Sequence, residues 1–486
     1  MHSSKIFSAK CFCIAVAAIA IIIAACNKSE SPANARSFAS PRDATSAQTT
    51  SPNAPLSAND VSILFPAPTK AADFANLIAV KDLTAPNPQD PTKRSPVWPD
   101  DAFQQFIANA ASPAAQIAGS SDRIGLPVEA QVIDAWFIAG IRIDAGAPGL
   151  SSDIRNQLGN LPEIRLIIQP VVRNPDGTPK VFDIAGHLIY DFIATTPLPP
   201  AQTDCFPRQQ PDPIAFASVV ADAAALRNKL ANGQLGANKV STANVPLGVH
   251  PGLADPTTTA NFRNEIKSFL QAHIAGPRLD SMAIAGLPGN APAPWIFLSM
   301  LKVPPGLIPV LPNGGFVPVH GPALDGDQQF AEALEPAGKL PRVVPDPHAN
   351  NLNPISCKSA AVSVTSLPVA SRSGVSTAEL FAATPPAADR INLVLNTIAD
   401  PTKSHFFNTD CVSCHTETRR AMDLQKITAI PGIDPAALPG GQWNIRNFGW
   451  SPDDRPTRAT VTRRTANETA AVVSAINAQL QAKPQP

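Results

Sequence analysis

Cys411-Val412-Ser413-Cys414-His415 places two thiols and an imidazole within five residues. Two intervening residues put both sulfurs on one side of a single helical turn, with the imidazole next to them. That set supports three kinds of chemistry. The thiolates and imidazole can ligate a soft metal such as zinc. The thiols can cycle as a redox pair or close as a Cys411–Cys414 disulfide. They can also add across two vinyl groups and tether a haem by thioethers, leaving the adjacent imidazole as its axial ligand.

The rest of the sequence weighs on that choice. A structural zinc needs two further soft ligands at close spacing, whereas the remaining cysteines, Cys205 and Cys357, lie far upstream of the motif. A thioredoxin-like pair opens a helix after a buried strand, and Lys403–Asp410 does not read as such a strand. The five residues resemble the haem-attachment motif of c-type cytochromes. The resemblance covers these five of 486 residues. It implies one covalent haem c, tethered by Cys411 and Cys414 and ligated by His415.

The other end of the chain speaks to compartment. Residues 1–25 carry Lys5 and Lys10 and then an apolar run from Cys11 to Ala25, the pattern of a secretory signal peptide and too short for a membrane span. The run closes on Ile23-Ala24-Ala25-Cys26, which resembles the bacterial lipobox. That resemblance implies acylation of Cys26. With Asn27 following it, the expected place is the periplasmic face of the outer membrane or the cell surface. A multi-chain lipid anchor holds where a single chain is marginal. The alternative is an ordinary signal with a cysteine nearby. In an oxidising compartment Cys205 and Cys357 would pair; otherwise they are two buried free thiols.

Charge excludes some partners. Lysine and arginine number 38, as do aspartate and glutamate, and loss of the signal leaves the remainder two charges negative. A neutral balance makes no case for nucleic acid or an electrostatic membrane face. The expected partners are a membrane through the lipid anchor and a redox protein whose identity the sequence leaves unknown. Proline, at 53 residues, is spread among apolar stretches and predicts long rigid loops.

These features divide the chain into a signal (1–25), a Ser/Ala/Pro-rich tether (26–68), an α+β domain of unknown role (69–350) and a mostly helical, cytochrome c-like haem-bearing part (351–486). Alternation predicts strands over Ala135–Asp144, Glu163–Val172, Val181–Phe192, Ser281–Leu287 and Trp295–Val303, the first three as an antiparallel meander. Pro170 suits a strand end or edge. Helical spacing marks Asp101–Ala111, Pro213–Asn232, Thr258–Ala275, Ala387–Ala399, Thr416–Ile427 and Thr465–Leu480. Pro at the start and Gly233 after the end frame the second of these. Ser376–Glu379 reads as a capping box. The fold class is therefore α+β.

The sixth iron ligand is the open point. Met422 is the one methionine after the motif and no histidine follows His415. Met422 would sit two turns along the proximal helix, on the wrong side of the ring. His348 and His405 are the candidate distal ligands, with Met282 and Met300 more remote. An open five-coordinate iron, suited to peroxide or small-ligand chemistry, is the alternative to electron transfer. His187, His250, His273 and His320 read as structural histidines, and Asp325-Gly326-Asp327 as a turn. Pro431-Gly432 could offer a carbonyl to the proximal imidazole. Trp443, Ile445, Phe448 and Trp450 could wall a pocket, and Arg419, Arg420 and Arg446 could pair with propionates; equally, these are core aromatics and solvated arginines.

Overall fold

The computed structural model describes residues 55–87, 90–111, 124–149, 161–194, 210–286, 296–303, 314–319, 395–396, 398–402, 415, 417–419, 421–422, 425–440, 447–452 and 456–482. The capping box at 376–379, the turn at 325–327 and His320 lie outside these residues. From Thr50 to Pro486 the chain forms one compact unit.

Its centre is an antiparallel sheet. Strands β1 (Ser62–Leu64), β4 (Trp136–Ala145), β5 (Pro162–Arg173), β7 (Ile184–Asp191), β8 (Leu279–Gly286), β9 (Ile296–Val303) and β10 (Gly315–Val319) lie side by side in that order, and the short β6 (Pro179–Val181) pairs with β5. The architecture is α+β, and the meander expected for β4, β5 and β7 is present. Between β5 and β6 the turn Asn174–Thr178 places Gly177 at φ +83°, which glycine adopts without a side-chain clash. Pro170 lies opposite Trp136, the first residue of β4. Its carbonyl accepts the Phe182 N–H at 3.0 Å, so its missing N–H faces the break between β6 and β7, inside β5 rather than at the strand end or edge expected.

Strands that the alternation does not mark sit mostly at edges. β2 (Thr84–Asn87) and β3 (Asp90–Pro96) form a hairpin, and β11 (Phe448–Ser451) and β12 (Arg458–Val461) form another. Pro86, Pro91, Pro96 and Pro318 interrupt the pattern of β2, β3 and β10. Proline is tolerated there because an edge strand leaves half of its N–H groups outside any ladder. The folded body also begins before the composition boundary at 68. Leu56, Val61, Ile63, Leu64 and Phe65 are buried, and β1 pairs with β4.

The two faces of the sheet carry different layers. Directly paired residues share a face. Gly186, paired with Ile168, would place a Cβ 3.1 Å from Phe106. Gly140, paired with Ile167, would place one 2.6 Å from Phe448. Ile167 and Ile168 point to opposite faces, so Phe106 and Phe448 cover opposite sides. On the Phe106 side lies helix α2 (Asp100–Ala110), where Phe103, Phe106, Trp98 and Trp136 meet edge-to-face at centroid distances of 4.9 to 6.0 Å. Helix α3 (Pro213–Ala231) starts at Asp212, whose carboxylate accepts from the Ile214 and Ala215 N–H groups, and ends before Gly233 at φ +72°. The short α4 (Pro251–Ala254) leads into α5 (Thr259–His273), which buries Phe262, Ile266, Phe269 and Leu270 at the predicted spacing.

On the Phe448 side lie β11 and the last helix, α6 (Arg463–Ala482). The side-chain amide of Gln169 serves here as a substitute strand edge. Its Nε2 donates to the Trp450 carbonyl at 3.0 Å and its Oε1 accepts the Trp450 N–H at 2.6 Å. The Trp450 indole donates to the Phe65 carbonyl at 3.0 Å. Gln169→Leu would leave both Trp450 backbone groups buried without a partner, at roughly 1–3 kcal/mol each. The expected outcome is a lower urea midpoint with an unchanged slope; a midpoint equal to the parent's would refute this role for Gln169.

Candidate functional site

Of the predicted site residues, His415 is described. It is helical and half-buried. Cys26, Cys205, Cys357, His348, His405, Cys411 and Cys414 lie outside the described residues, as do Arg420, Trp443, Ile445 and Arg446. Residues 417–419, 421, 422 and 425 continue the helix, in line with the expectation for Thr416–Ile427. Residues 395, 396, 398 and 399 are helical, in line with Ala387–Ala399.

Several side chains weighed for the site are used by the core. Met282 and Met300 face each other across β8 and β9 and are fully buried. Phe448 and Trp450 pack on the sheet, which is the core alternative for those aromatics. The Gly432 carbonyl accepts the Leu247 N–H at 2.8 Å. His250 is buried, stacks on Phe262 at 4.4 Å and accepts the Gly252 N–H at Nδ1; burial holds its pKa down at about 3. His273 pairs with Asp222 at 2.8 Å. Both are structural histidines.

The helix that carries His415 is held by the start of α6. Glu417, Thr418 and Ala421 are fully buried on one side of that helix, and His415 lies on its flank. The Arg463 guanidinium bonds the Glu417 carboxylate, with Nε at 2.5 Å from Oε1. The Thr418 hydroxyl donates to Glu417 Oε2 and accepts the Arg463 N–H, each at 2.8 Å. Thr418 thus satisfies one of the N–H groups that a helix start leaves without an intrahelical partner. Burial pushes the Glu417 carboxyl above its ordinary pKa against the pull of Arg463.

The same turn of α6 holds the chain before the motif. Arg463 Nη1 donates to Asn396 Oδ1 at 3.0 Å, Arg464 Nη1 to the Ile398 carbonyl at 3.3 Å, and Asn467 Nδ2 to the Ala399 carbonyl at 2.7 Å. Arg464 also bonds Glu468 at 2.6 Å, and Glu468 reaches Arg142 of β4 at 3.0 Å. Burial opposes the charge on Glu468, but Arg464 and Arg142 outweigh it and hold the carboxyl down at about 2. Two arginines at a helix N-terminus run against the helix dipole, and these carboxylates offset that cost. Sequence reading placed the helix start at Thr465, after both arginines. Its missed signal is the pair Arg463-Arg464 at a helix start, which demands acidic partners elsewhere.

Beyond Arg142, a row of carboxylates crosses the sheet. Asp144 pairs with Glu163 and Glu163 with Asp191 in the strand register. Arg165 bonds Glu163 at 2.7 Å. Burial and the Glu163 charge push Asp144 up to about 6. Burial, then Glu163 and Asp280, push Asp191 up to about 9, and Asp280 is raised by burial. The side-chain hydrogen bond between the two raises Asp191 further and opposes the upward push of burial on Asp280.

No group of three or more His, Cys, Asp or Glu among the described residues is disposed to hold a metal ion. The carboxylate row has a consequence for stability. An unfolded aspartate releases its proton near a pKa of about 3.9, whereas folded Asp191 keeps it to about 9. The stability that this proton provides is complete below about pH 4 and is lost as pH rises toward 9. Asp191→Asn should therefore flatten the fall of the urea midpoint over that window, and equal slopes for parent and variant would count against it. Comparison of the chain with protein-family models, with curated proteins and with solved structures gave no match.

Proposed function

We infer that the chain is an exported, lipid-anchored monohaem c-type cytochrome that carries single electrons in the periplasm or at the cell surface. The observation that carries this reading is Cys411-Val412-Ser413-Cys414-His415, with His415 on a half-buried helix. The donor set fits the group: two thiols for thioethers and a neighbouring imidazole for the iron. Haem bound there would supply a one-electron iron couple. Residues 351–486 are read as its mostly helical seat and residues 69–350 as the body that presents it. Cys26 is the lipidation site and Cys205–Cys357 a disulfide in this reading.

The chain's own residues would fix the site rather than react. His415 would hold the iron, and its helix is anchored through Glu417 and Thr418. Arg419 Nη1 points at the Pro439 and Gly440 carbonyls, each at 3.4 Å, so a propionate there would compete with backbone acceptors. In a second reading the haem is an open, five-coordinate enzyme site, with His348 and His405 as the candidate distal ligands outside the described residues. Met282 and Met300 are committed to the core, and no histidine follows His415.

The test is a denaturing gel of exported protein stained for haem, with the reduced pyridine spectrum. The expected outcome is a haem band at full mass, lost or spectrally altered in Cys414→Ala and His415→Ala. A blank lane from cells that mature a control cytochrome would overturn the assignment and leave a non-haem lipoprotein with a Cys411–Cys414 disulfide. The spin state of a positive sample then separates the two haem readings, since two strong axial ligands give low-spin iron.

A further inference from the structure

We propose that Arg463 is a positioning residue for His415, tying the helix that bears it to the chain segment that precedes the motif. The inference rests on the haem reading for its purpose, while the tie itself stands on geometry. One guanidinium reaches both flanks: Asn396 on one side at 3.0 Å and Glu417 on the other at 2.5 Å. The Arg463 backbone N–H adds Thr418 at 2.8 Å. In sequence, Cys411 and Cys414 lie between those flanks.

The choice of arginine follows from this double reach. Its planar fork presents several donors in fixed directions, whereas an ammonium is a single point of charge on a flexible stem. Glu417 is fully buried, so its carboxylate cannot exchange Arg463 for water. Arg464 and Asn467 hold Ile398 and Ala399 in parallel, which keeps the first flank in place while Arg463 sets the second. Arg463 thereby fixes the tilt and travel of the His415 helix. A ligand imidazole on a restrained helix meets its iron in one orientation, as outer contacts do for metal-bound histidines in general.

A merely structural role predicts something different from a positioning role. Replacing a buried ion pair by apolar residues of similar volume is often neutral for stability. Arg463→Met with Glu417→Leu should therefore keep the fold while losing the tie to Asn396. A second variant, Arg463→Lys, keeps a cation beside Glu417 but cannot reach both flanks.

Both variants are to be made in a haem-less Cys411→Ser, Cys414→Ser chain and read by amide hydrogen exchange. The expected result is exchange about tenfold faster in residues 415–425, with the urea midpoint and the exchange of β4 and β5 unchanged. Unchanged exchange in residues 415–425 overturns the proposal, and so does a rise spread evenly over the sheet. In haem-loaded chains the same variants should shift the midpoint potential or the spin state, and identical values also overturn it. A blank haem stain of the parent ends the cytochrome reading and is separate from the exchange result, which needs no haem.

Discussion

A buried carboxyl group either stays neutral or pairs its charge with a cation, and Glu417 has Arg463 as its partner. That requirement organises the described residues from 395 onward. The chain places Arg463 and Arg464 at the start of a helix, where the dipole disfavours them. It then brings Glu417 from one direction and Glu468 from within the helix to meet them. Removing one partner of such a pair leaves a buried charge alone, at roughly 3–5 kcal/mol. The docking of α6, the helix that carries His415 and the segment before the motif are therefore set together. Glu468 extends the arrangement to Arg142 and so to the central sheet.

The sheet provides the rigid side of this arrangement. β4 and β5 are flanked on both faces, by α2 and its aromatic cluster on one and by β11 and α6 on the other. α6 adds bonds along its length: Thr469 to Ser62 at 2.8 Å, and Asn477 to both backbone groups of Leu56. Polar side chains, rather than apolar packing alone, register this helix on the sheet. An apolar stripe can slide by a turn at modest cost; a set of paired amides and ions cannot.

What was legible in the sequence follows the range of the physics involved. β4, β5 and β7 announce themselves because alternation is local and one face is apolar. The helix at Pro213 is framed by residues whose backbone preferences act within one turn. The hairpin of β2 and β3 was not legible, because its prolines break the alternation and its pairing depends on a partner strand. Phe448 and Trp450 read equally as a pocket wall or as core aromatics; both are buried in β11, because packing against the sheet decides between the two and local pattern does not. The motif itself was legible because five adjacent residues carry its chemistry. Glu417 was not, because its meaning depends on an arginine 46 positions away.

The pairing of Leu56 with Asn477 has a mechanical side. The first buried residue of the body is bonded to the last helix by both of its backbone groups, at 2.8 and 2.9 Å. Behind it, the Ser57–Asp60 cap and β1 continue into the sheet. A pull on the chain from its N-terminal side loads the bond from Arg227 of α3 to the Pro55 carbonyl at 2.7 Å, then those two amide bonds, then the cap and the β1–β4 ladder. The load path enters through α3 and through α6, and the second of these also grips the His415 segment. Tension at that end and the geometry around His415 therefore share one structural member, α6.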